Sequence, residues 1–237
     1  MDFHFLDVSG REKSRKARLL YWISIYTRKY FNFRLVPAAH PAEMLSIEQA
    51  VNLYHFTQLI IHAGIEGDIV ELGSFTGSTA LQIQRVLDFY KPDKLLHLFD
   101  RFDKQFFESG KDTLEVLKQY FKSYSLSLPV IHKGQFSETL PHELPDKISL
   151  LYIDCGFGAE KKVHIENVLF CLESAYPRMS KGAIGILMDY HDPENTLLGY
   201  DSNPGTKDAC DIFFKNKPEN VYTLYGGDFS HGFFRKA

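Results

Sequence analysis

Short apolar runs alternate along most of the chain with longer segments in which apolar residues recur every three or four positions. The short runs predict strands that are buried on both faces, and the longer segments predict amphipathic helices. The predicted strands span residues 69–72, 95–99, 130–132, 148–153 and 183–188, and the predicted helices span 78–89, 113–124, 161–176 and 206–214. Strands that alternate with helices of about 10–15 residues predict βαβ units and a parallel sheet.

The end of the chain follows a different pattern. Two short apolar runs, 222–225 and 232–234, flank Gly226 and Gly227 and predict an antiparallel hairpin. We therefore predict an α/β fold with a doubly wound, Rossmann-like, mostly parallel seven-stranded sheet, an antiparallel edge strand and N-terminal helices. Residues 1–45 are predicted to form a basic and aromatic helical extension, and residues 46–237 the main domain.

The N-terminal segment combines basic and apolar residues. Between positions 11 and 33, basic residues such as Arg15 and Lys29 alternate with aromatic and aliphatic ones such as Trp22 and Tyr26, which predicts a basic helix with an apolar face. Such a face can lie on an anionic membrane. We favour the alternative that it packs on its own domain or on a second subunit, in a homodimer through the N-terminal helices. Ser46 begins a second predicted helix, which leads into the first strand.

Composition narrows the functional classes. The 237 residues are 44% hydrophobic and 24% charged, as in globular domains, and the net charge of -3 gives no support for a nucleic-acid partner. The three cysteines lack metal-ligand spacing, so neither a disulfide framework nor a zinc cluster is expected. The apolar run 19–26 is shorter than the ~20 residues that span a membrane, and no signal-peptide cleavage pattern follows it. We expect a cytoplasmic protein.

The most informative stretch for function is residues 68–78. An apolar strand runs into Glu71, two glycines follow at Gly73 and Gly77, and Ser78 is predicted to cap the next helix. Gly73 allows a sharp turn with bare backbone close to a ligand. A pyrophosphate loop needs backbone N–H groups and no nearby anion, whereas Glu71 places a carboxylate there. This favours a cationic small molecule, and S-adenosylmethionine, with its ammonium and sulfonium groups, is the candidate.

Polar residues also end the other predicted strands, where ligands bind in open α/β sheets. They are Asp100, the segment 133–135, Asp154, and the segment 189–191 that contains His191. Asp100 can accept both ribose hydroxyls of an adenosine, but nicotinamide enzymes place an acid similarly. The first loop lacks the Gly-x-Gly-x-x-Gly spacing that admits a pyrophosphate. We therefore favour S-adenosylmethionine and keep an NAD-dependent oxidoreductase as an alternative.

Taken in order, these segments make the chain resemble a class I S-adenosylmethionine-dependent methyltransferase, most closely of the macrocin O-methyltransferase family. The resemblance covers about residues 46–234 and rests on the segments IVELGSFTGS (69–78), LFDRF (98–102), KGQFSETLP (133–141), LYID (151–154), MDY (188–190) and PGTKDA (204–209). It implies that the cofactor is bound by Glu71, Gly73, Ser74, Thr76, Gly77, Ser78, Asp100, Arg101, Gln135, Phe136 and Asp154. Asp100 would hold the ribose, and Gln135 and Phe136 would lie near the adenine. The methionine part would be surrounded by Glu71, Gly73, Ser74, Thr76 and Ser78.

The family typically uses Mg²⁺, held by an Asp-Gly-Asp run and an Asp-Asp-Tyr run, and this chain departs from both. It has Asp154-Cys155-Gly156 and Met188-Asp189-Tyr190, which leaves two carboxylates. We expect a weak or absent metal site at Asp154 and Asp189, with His191 as the general base and Asp154 as the alternative base.

The predicted function is S-adenosylmethionine-dependent O-methylation of a sugar or another small polar metabolite. A non-catalytic protein that binds S-adenosylmethionine remains an alternative. Three other histidines, His62, His97 and His132, are expected to be structural, and His164 is expected to lie on a helix face or to pack. Cys155 is not expected to act as a nucleophile, because methyl transfer to oxygen needs no covalent intermediate with the protein.

Overall fold

The structure is a computed structural model, and it describes residues 15–33, 45–103, 105–106, 111–156, 160–195, 201, 203–226 and 230–237. The helices are α1 (Arg15–Phe31), α2 (Ile47–His62), α3 (Ser78–Tyr90), α4 (Thr113–Ser123), α5 (Phe136–Glu143), α6 (Lys161–Ala175) and α7 (Thr206–Phe214). The strands are β1 (Asp68–Leu72), β2 (Leu96–Asp100), β3 (Gln105–Phe106), β4 (Lys111–Asp112), β5 (Val130–Lys133), β6 (Ile148–Ile153), β7 (Met179–Leu187), β8 (Tyr222–Leu224) and β9 (His231–Arg235).

Seven strands form one sheet in the order β5-β2-β1-β6-β7-β9-β8. The first five in this order are parallel, and β9 runs antiparallel to both β7 and β8, so a hairpin forms one edge. The predicted fold class is confirmed. The strand order reverses between β1 and β6, which is the switch point where open α/β sheets bind ligands.

The central strands are buried on both faces because successive side chains point to opposite sides. Ile69 of β1 and Leu150 of β6 belong to a core cluster with residues of α2, α3 and α4. Val70 and Leu151, the next residues along these strands, belong to a second cluster with residues of α5, α6 and α7. Helices therefore cover both faces, and only the ends of the strands are left for a binding site.

The helix after β1 begins differently from the prediction. The sequence predicts Ser78 as the cap, but the cap residue is Gly77, and Ser78 is the first residue of α3. Gly77 has a φ of 81°, and a Cβ built on it would lie 2.9 Å from Leu117, so both conformation and packing require glycine. The predicted start at Ser46 is correct: its Oγ accepts from the Gln49 N–H at 3.1 Å in a capping box.

The N-terminal helix is confirmed as α1, while positions 11–14 of its predicted range lie outside the described residues. Its apolar face is open, because Trp22, Tyr26 and Tyr30 are exposed. None of the described helices is long and apolar enough to cross a membrane. The boundary between an extension and a main domain at residue 45 stays a prediction.

Candidate active site

Backbone hydrogen bonds tie together the carboxyl ends of three neighbouring strands, β2, β1 and β6. The N–H of Gly73 donates to the Phe99 carbonyl at 2.8 Å, and the N–H of Asp154 donates to the Leu72 carbonyl at 2.8 Å. Gly73 has a φ of 93°, and a Cβ built on it would lie 1.8 Å from the Asp154 carbonyl oxygen. The predicted sharp turn is present, and it brings the backbone of Gly73 close to the backbone at the end of β6.

Glu71 is a buried acid at the centre of this edge. It is 1% exposed, and its Oε2 atom has no hydrogen-bond partner among the described residues. Burial, followed by the charges of Asp154 and Asp100, raises the pKa of Glu71 well above its ordinary value, although nearby Ser74 opposes the rise. A buried carboxylate without a partner is costly, and a cationic ligand group would offset that cost. The site therefore fits the ammonium and sulfonium charges of S-adenosylmethionine.

Asp100 organises the loop that follows β1. Its Oδ2 atom accepts from the N–H groups of Ser74 and Phe75, both at 2.9 Å, and its Oδ1 atom accepts from the Phe102 N–H at 2.7 Å. A carboxylate offers about four acceptor positions, so these three bonds leave one for a ribose hydroxyl, and not two as the sequence suggests. The predicted contact with the ribose stays a prediction, and the structure adds a role in holding the loop.

Thr76, Gly77 and Ser78 complete the connection from β1 to α3. Thr76 is buried, and the N–H of Gly77 donates to the Ser74 carbonyl at 2.7 Å. These residues lie at the switch point with Glu71. Their contacts with the methionine part of the cofactor stay a prediction.

The residues predicted near the adenine follow β5, on the side of Asp100 that is away from β1. The N–H of Gly134 donates to the Asp100 carbonyl at 3.1 Å, which places Gln135 and Phe136 beside the end of β2. Gln135 is the exposed cap residue of α5, and Phe136 packs against the core. Arg101 is exposed and pairs with Asp103, so its guanidinium is engaged at the surface.

Asp154 and Asp189 end the next two strands toward the hairpin edge. Asp154 is an exposed residue, yet desolvation by the surrounding protein atoms, followed by the charge of Asp189, raises the pKa of its carboxyl to about 8. Asp189 has a φ of 56°, and its Oδ2 atom accepts from the Asn203 amide at 3.0 Å. Two carboxylates are thus brought together, and the described residues contain no cluster of three or more potential metal ligands.

His191 lines a cavity of about 380 Å³ next to Asp189. Six carboxylates and two lysines also line it, and each lysine is paired with an acid: Lys161 with Asp208 and Lys207 with Asp211. His191 is half-buried, and its Nδ1 atom has no hydrogen-bond partner among the described residues. The cavity is therefore lined by a histidine ring and an excess of acceptors.

Comparison with protein families shows which family the chain belongs to. The family model described as Macrocin-O-methyltransferase (TylF) matches residues 37–199, which is more than half of the chain. The protein belongs to the macrocin O-methyltransferase family. It is therefore an S-adenosylmethionine-dependent methyltransferase, its cofactor is S-adenosylmethionine, and O-methylation is the reaction of the family. The family match rejects the NAD-dependent alternative.

Solved structures show the same fold. The O-methyltransferase NovP is 20% identical, with 85% of each chain covered and a TM-score of 0.67. A putative caffeoyl-CoA O-methyltransferase from Staphylococcus aureus is 15% identical, with 91% of each chain covered and a TM-score of 0.54. The putative methyltransferase SMU.1697c from Streptococcus mutans, solved with SAH, is 12% identical over 82% of this chain and 100% of that one, with a TM-score of 0.53. A comparison with curated proteins gave no significant match.

The departure from the family at Cys155 and Gly156 has a structural consequence. A Cβ built on Gly156 would lie 2.0 Å from Nε2 of His164, whose Nδ1 bonds the Pro204 carbonyl at 3.0 Å. His164 is therefore a buried structural residue, as predicted, and it joins the loop after β6 to the start of α7. Interaction with Cys171, opposed by burial and helped by His164, lowers the pKa of Cys155 to about 6.

Two residues of the site are not predicted by the sequence. Asn203 anchors Asp189 from a loop, and no pattern in the sequence relates the two positions. Tyr152 lies inside the apolar run of β6, yet its buried hydroxyl has no hydrogen-bond partner among the described residues. The signal that could have indicated it is a tyrosine two positions before the strand-ending Asp154.

Proposed function

We propose that the protein transfers a methyl group from S-adenosylmethionine to a hydroxyl of a sugar or another small polar metabolite, with His191 as the general base. One observation carries this proposal. The half-buried His191 lines a cavity together with six carboxylates, beside the strand ends that fit the cofactor. Carboxylates accept hydrogen bonds from hydroxyl groups, so this lining suits a polyhydroxylated acceptor.

The proposed cofactor contacts follow the order of the strand ends. Glu71, with the loop from Gly73 to Ser78, takes the methionine part, Asp100 takes the ribose, and Gln135 and Phe136 border the adenine. The bound cofactor supplies a methyl group on a positively charged sulfur. His191 accepts the hydroxyl proton while the acceptor oxygen bonds to the methyl carbon, and the electron pair of the broken carbon–sulfur bond stays on sulfur.

A metal is assigned at most a supporting role. Asp154 and Asp189 would be its protein ligands, and Mg²⁺ often binds through one or two carboxylates together with water and substrate oxygens. Such an ion would lower the pKa of the acceptor hydroxyl. We propose transfer that is independent of the metal or only weakly assisted by it.

The remaining partners are also proposals. The acceptor is a small molecule, nucleic acid is not a partner, and the protein acts in the cytoplasm. A second copy of the chain covers the exposed face of α1, which contains Trp22 and Tyr26. Contact of this basic helix with a membrane is the less favoured alternative.

The test is methyl transfer from labelled S-adenosylmethionine to a panel of glycosides, free sugars and catechols. We expect transfer to a sugar hydroxyl, and His191→Gln is expected to lower the rate by about 10²–10⁴-fold. His142→Gln, which replaces an exposed histidine of α5, is the matched control and should keep the wild-type rate. A chelator in a parallel assay is expected to leave most of the activity.

Three results would contradict these proposals. An unchanged rate in His191→Gln would remove His191 as the base. Complete loss of activity with the chelator would show that a metal is required. A protein that binds S-adenosylhomocysteine but methylates no member of the panel would favour the non-catalytic alternative.

A further inference from the structure

Three buried polar atoms without partners lie together at the switch point of the sheet. They are Oε2 of Glu71, Oγ of Ser74 and the hydroxyl oxygen of Tyr152. None of them has hydrogen-bond geometry with a described residue, although the Ser74 side chain is close enough to Glu71 to oppose the rise of its pKa. All three side chains belong to residues that are at most 5% exposed. Buried polar atoms in folded proteins nearly always have partners, so a group of three indicates a missing ligand.

The strand pairing explains why Tyr152 and Glu71 meet. The parallel register of β1 and β6 sets Glu71 directly beside Tyr152, so their side chains leave the sheet on the same face. Burial raises the pKa of the Tyr152 hydroxyl well above its ordinary value, and the charges of Asp154 and then Glu71 raise it further. The hydroxyl therefore keeps its proton. Thr79 of α3 is close enough to oppose that rise, but the two hydroxyls do not have hydrogen-bond geometry.

The charges around this group select the kind of ligand atom that fits. Burial, followed by repulsion from Asp154 and Asp100, raises the pKa of Glu71, so this point disfavours a further negative charge and favours a positive one. An ammonium group carries three N–H donors and a positive charge, whereas a carboxylate would add to the repulsion. A tyrosine hydroxyl can accept one of these N–H groups and donate its own proton to a neighbouring carboxylate.

We propose that Tyr152 and Glu71 together bind the α-ammonium of the methionine part of the cofactor. Glu71 supplies the charge, and the Tyr152 hydroxyl supplies a second acceptor that fixes the position of the nitrogen. The inference rests on the same cofactor site as the proposed function. It adds Tyr152 as a binding residue and assigns it one functional group of the cofactor.

Calorimetric titration of the whole protein with three adenosine thioethers tests the assignment. S-adenosylhomocysteine has the ammonium and the carboxylate, its decarboxylated 3-aminopropyl analogue has the ammonium alone, and 5′-methylthioadenosine has neither. We expect Tyr152→Phe to weaken binding of the first two by about tenfold each and to leave the third unchanged. Glu71→Gln should show the same selectivity with a larger loss.

A purely structural role for Tyr152 is separated by thermal unfolding without ligand. Because its hydroxyl has no partner in the described structure, Tyr152→Phe should unfold at the same temperature as the wild type or at a higher one. The matched control is Tyr176→Phe, whose hydroxyl donates to Oε1 of Glu219 at 2.8 Å away from the site. The control should lower the unfolding temperature and leave all three affinities unchanged.

Each contrary result has a distinct meaning. An equal loss for all three ligands, or no loss for any, overturns a specific contact with the amino-acid end. A loss for S-adenosylhomocysteine alone would place the hydroxyl on the carboxylate and overturn the ammonium assignment. Failure of the wild type to bind S-adenosylhomocysteine would instead overturn the cofactor site, and the inference with it.

Discussion

Asp100 shows how one side chain can shape a site before any ligand binds. Its carboxylate accepts three backbone N–H groups, from Ser74, Phe75 and Phe102. Two of these residues, Phe75 and Phe102, have positive φ values of 45° and 50°, which non-glycine residues rarely adopt. The carboxylate therefore offsets local backbone strain and holds the loop after β1 in place.

Replacing this carboxylate should affect stability and binding together. Asp100→Ala leaves three N–H groups without their acceptor, so we expect the free energy of unfolding to fall by about 2–3 kcal/mol. Affinity for S-adenosylhomocysteine should also fall by more than tenfold. Urea unfolding and calorimetric titration measure the two effects.

Asp103→Ala is the matched control for Asp100→Ala. Asp103 forms an exposed pair with Arg101, and such pairs contribute little, so the change should stay within about 0.5 kcal/mol. Equal stability of the two variants would show that the Asp100 hydrogen bonds do not hold the loop.

Helix α2 fastens the hairpin at the end of the chain to the rest of the fold. The hydroxyl of Ser46, which caps α2, donates to the Gly226 carbonyl at 2.8 Å, and the Asn52 amide donates to the Tyr225 carbonyl at 3.0 Å. The same amide nitrogen lies 3.0 Å from Nε2 of His231 in β9. His231 is completely buried, and burial lowers its pKa from 6.5 to about 4.

This buried histidine makes stability depend on pH. Because the folded pKa lies below the unfolded value, the folded protein binds fewer protons than the unfolded chain between about pH 6.5 and 4. The contribution of neutral His231 to the free energy of unfolding is complete above pH 6.5. As the pH falls toward 4, up to about 3 kcal/mol of that free energy is lost. His231→Gln keeps an acceptor for Asn52 but cannot be protonated, so it should lose less stability than the wild type over this range.

Urea unfolding at several pH values measures that difference, with His142→Gln as the surface control. Parallel curves for the wild type and His231→Gln would contradict the assignment of this pH dependence to His231.

Much of the fold follows from the sequence because the central strands are apolar runs bounded by polar residues. Helix α5 was missed because it is short and contains Pro141, and the strands β3 and β4 have two residues each, too few for any periodic pattern. Strand β7 begins at Met179, before the predicted start at residue 183, because its first residues include exposed Lys181.

The sequence likewise predicts some features of the site and not others. Glu71, Asp100, Asp154 and Asp189 lie near the ends of predicted strands, and parallel strand ends meet at one edge, so their proximity could be predicted. The partnership of Tyr152 with Glu71 could not, because it depends on which strands are neighbours and on their register. The contact between Asn203 and Asp189 depends on a loop conformation that short-range patterns do not encode.

The binding of S-adenosylhomocysteine to the whole chain, measured by calorimetric titration with NADH as the comparison ligand, tests the central claim most directly. A buried acid without a partner and a loop without pyrophosphate spacing predict one S-adenosylhomocysteine per chain, with an affinity in roughly the micromolar range, and no heat from NADH. Binding of NADH without binding of S-adenosylhomocysteine would contradict the claim.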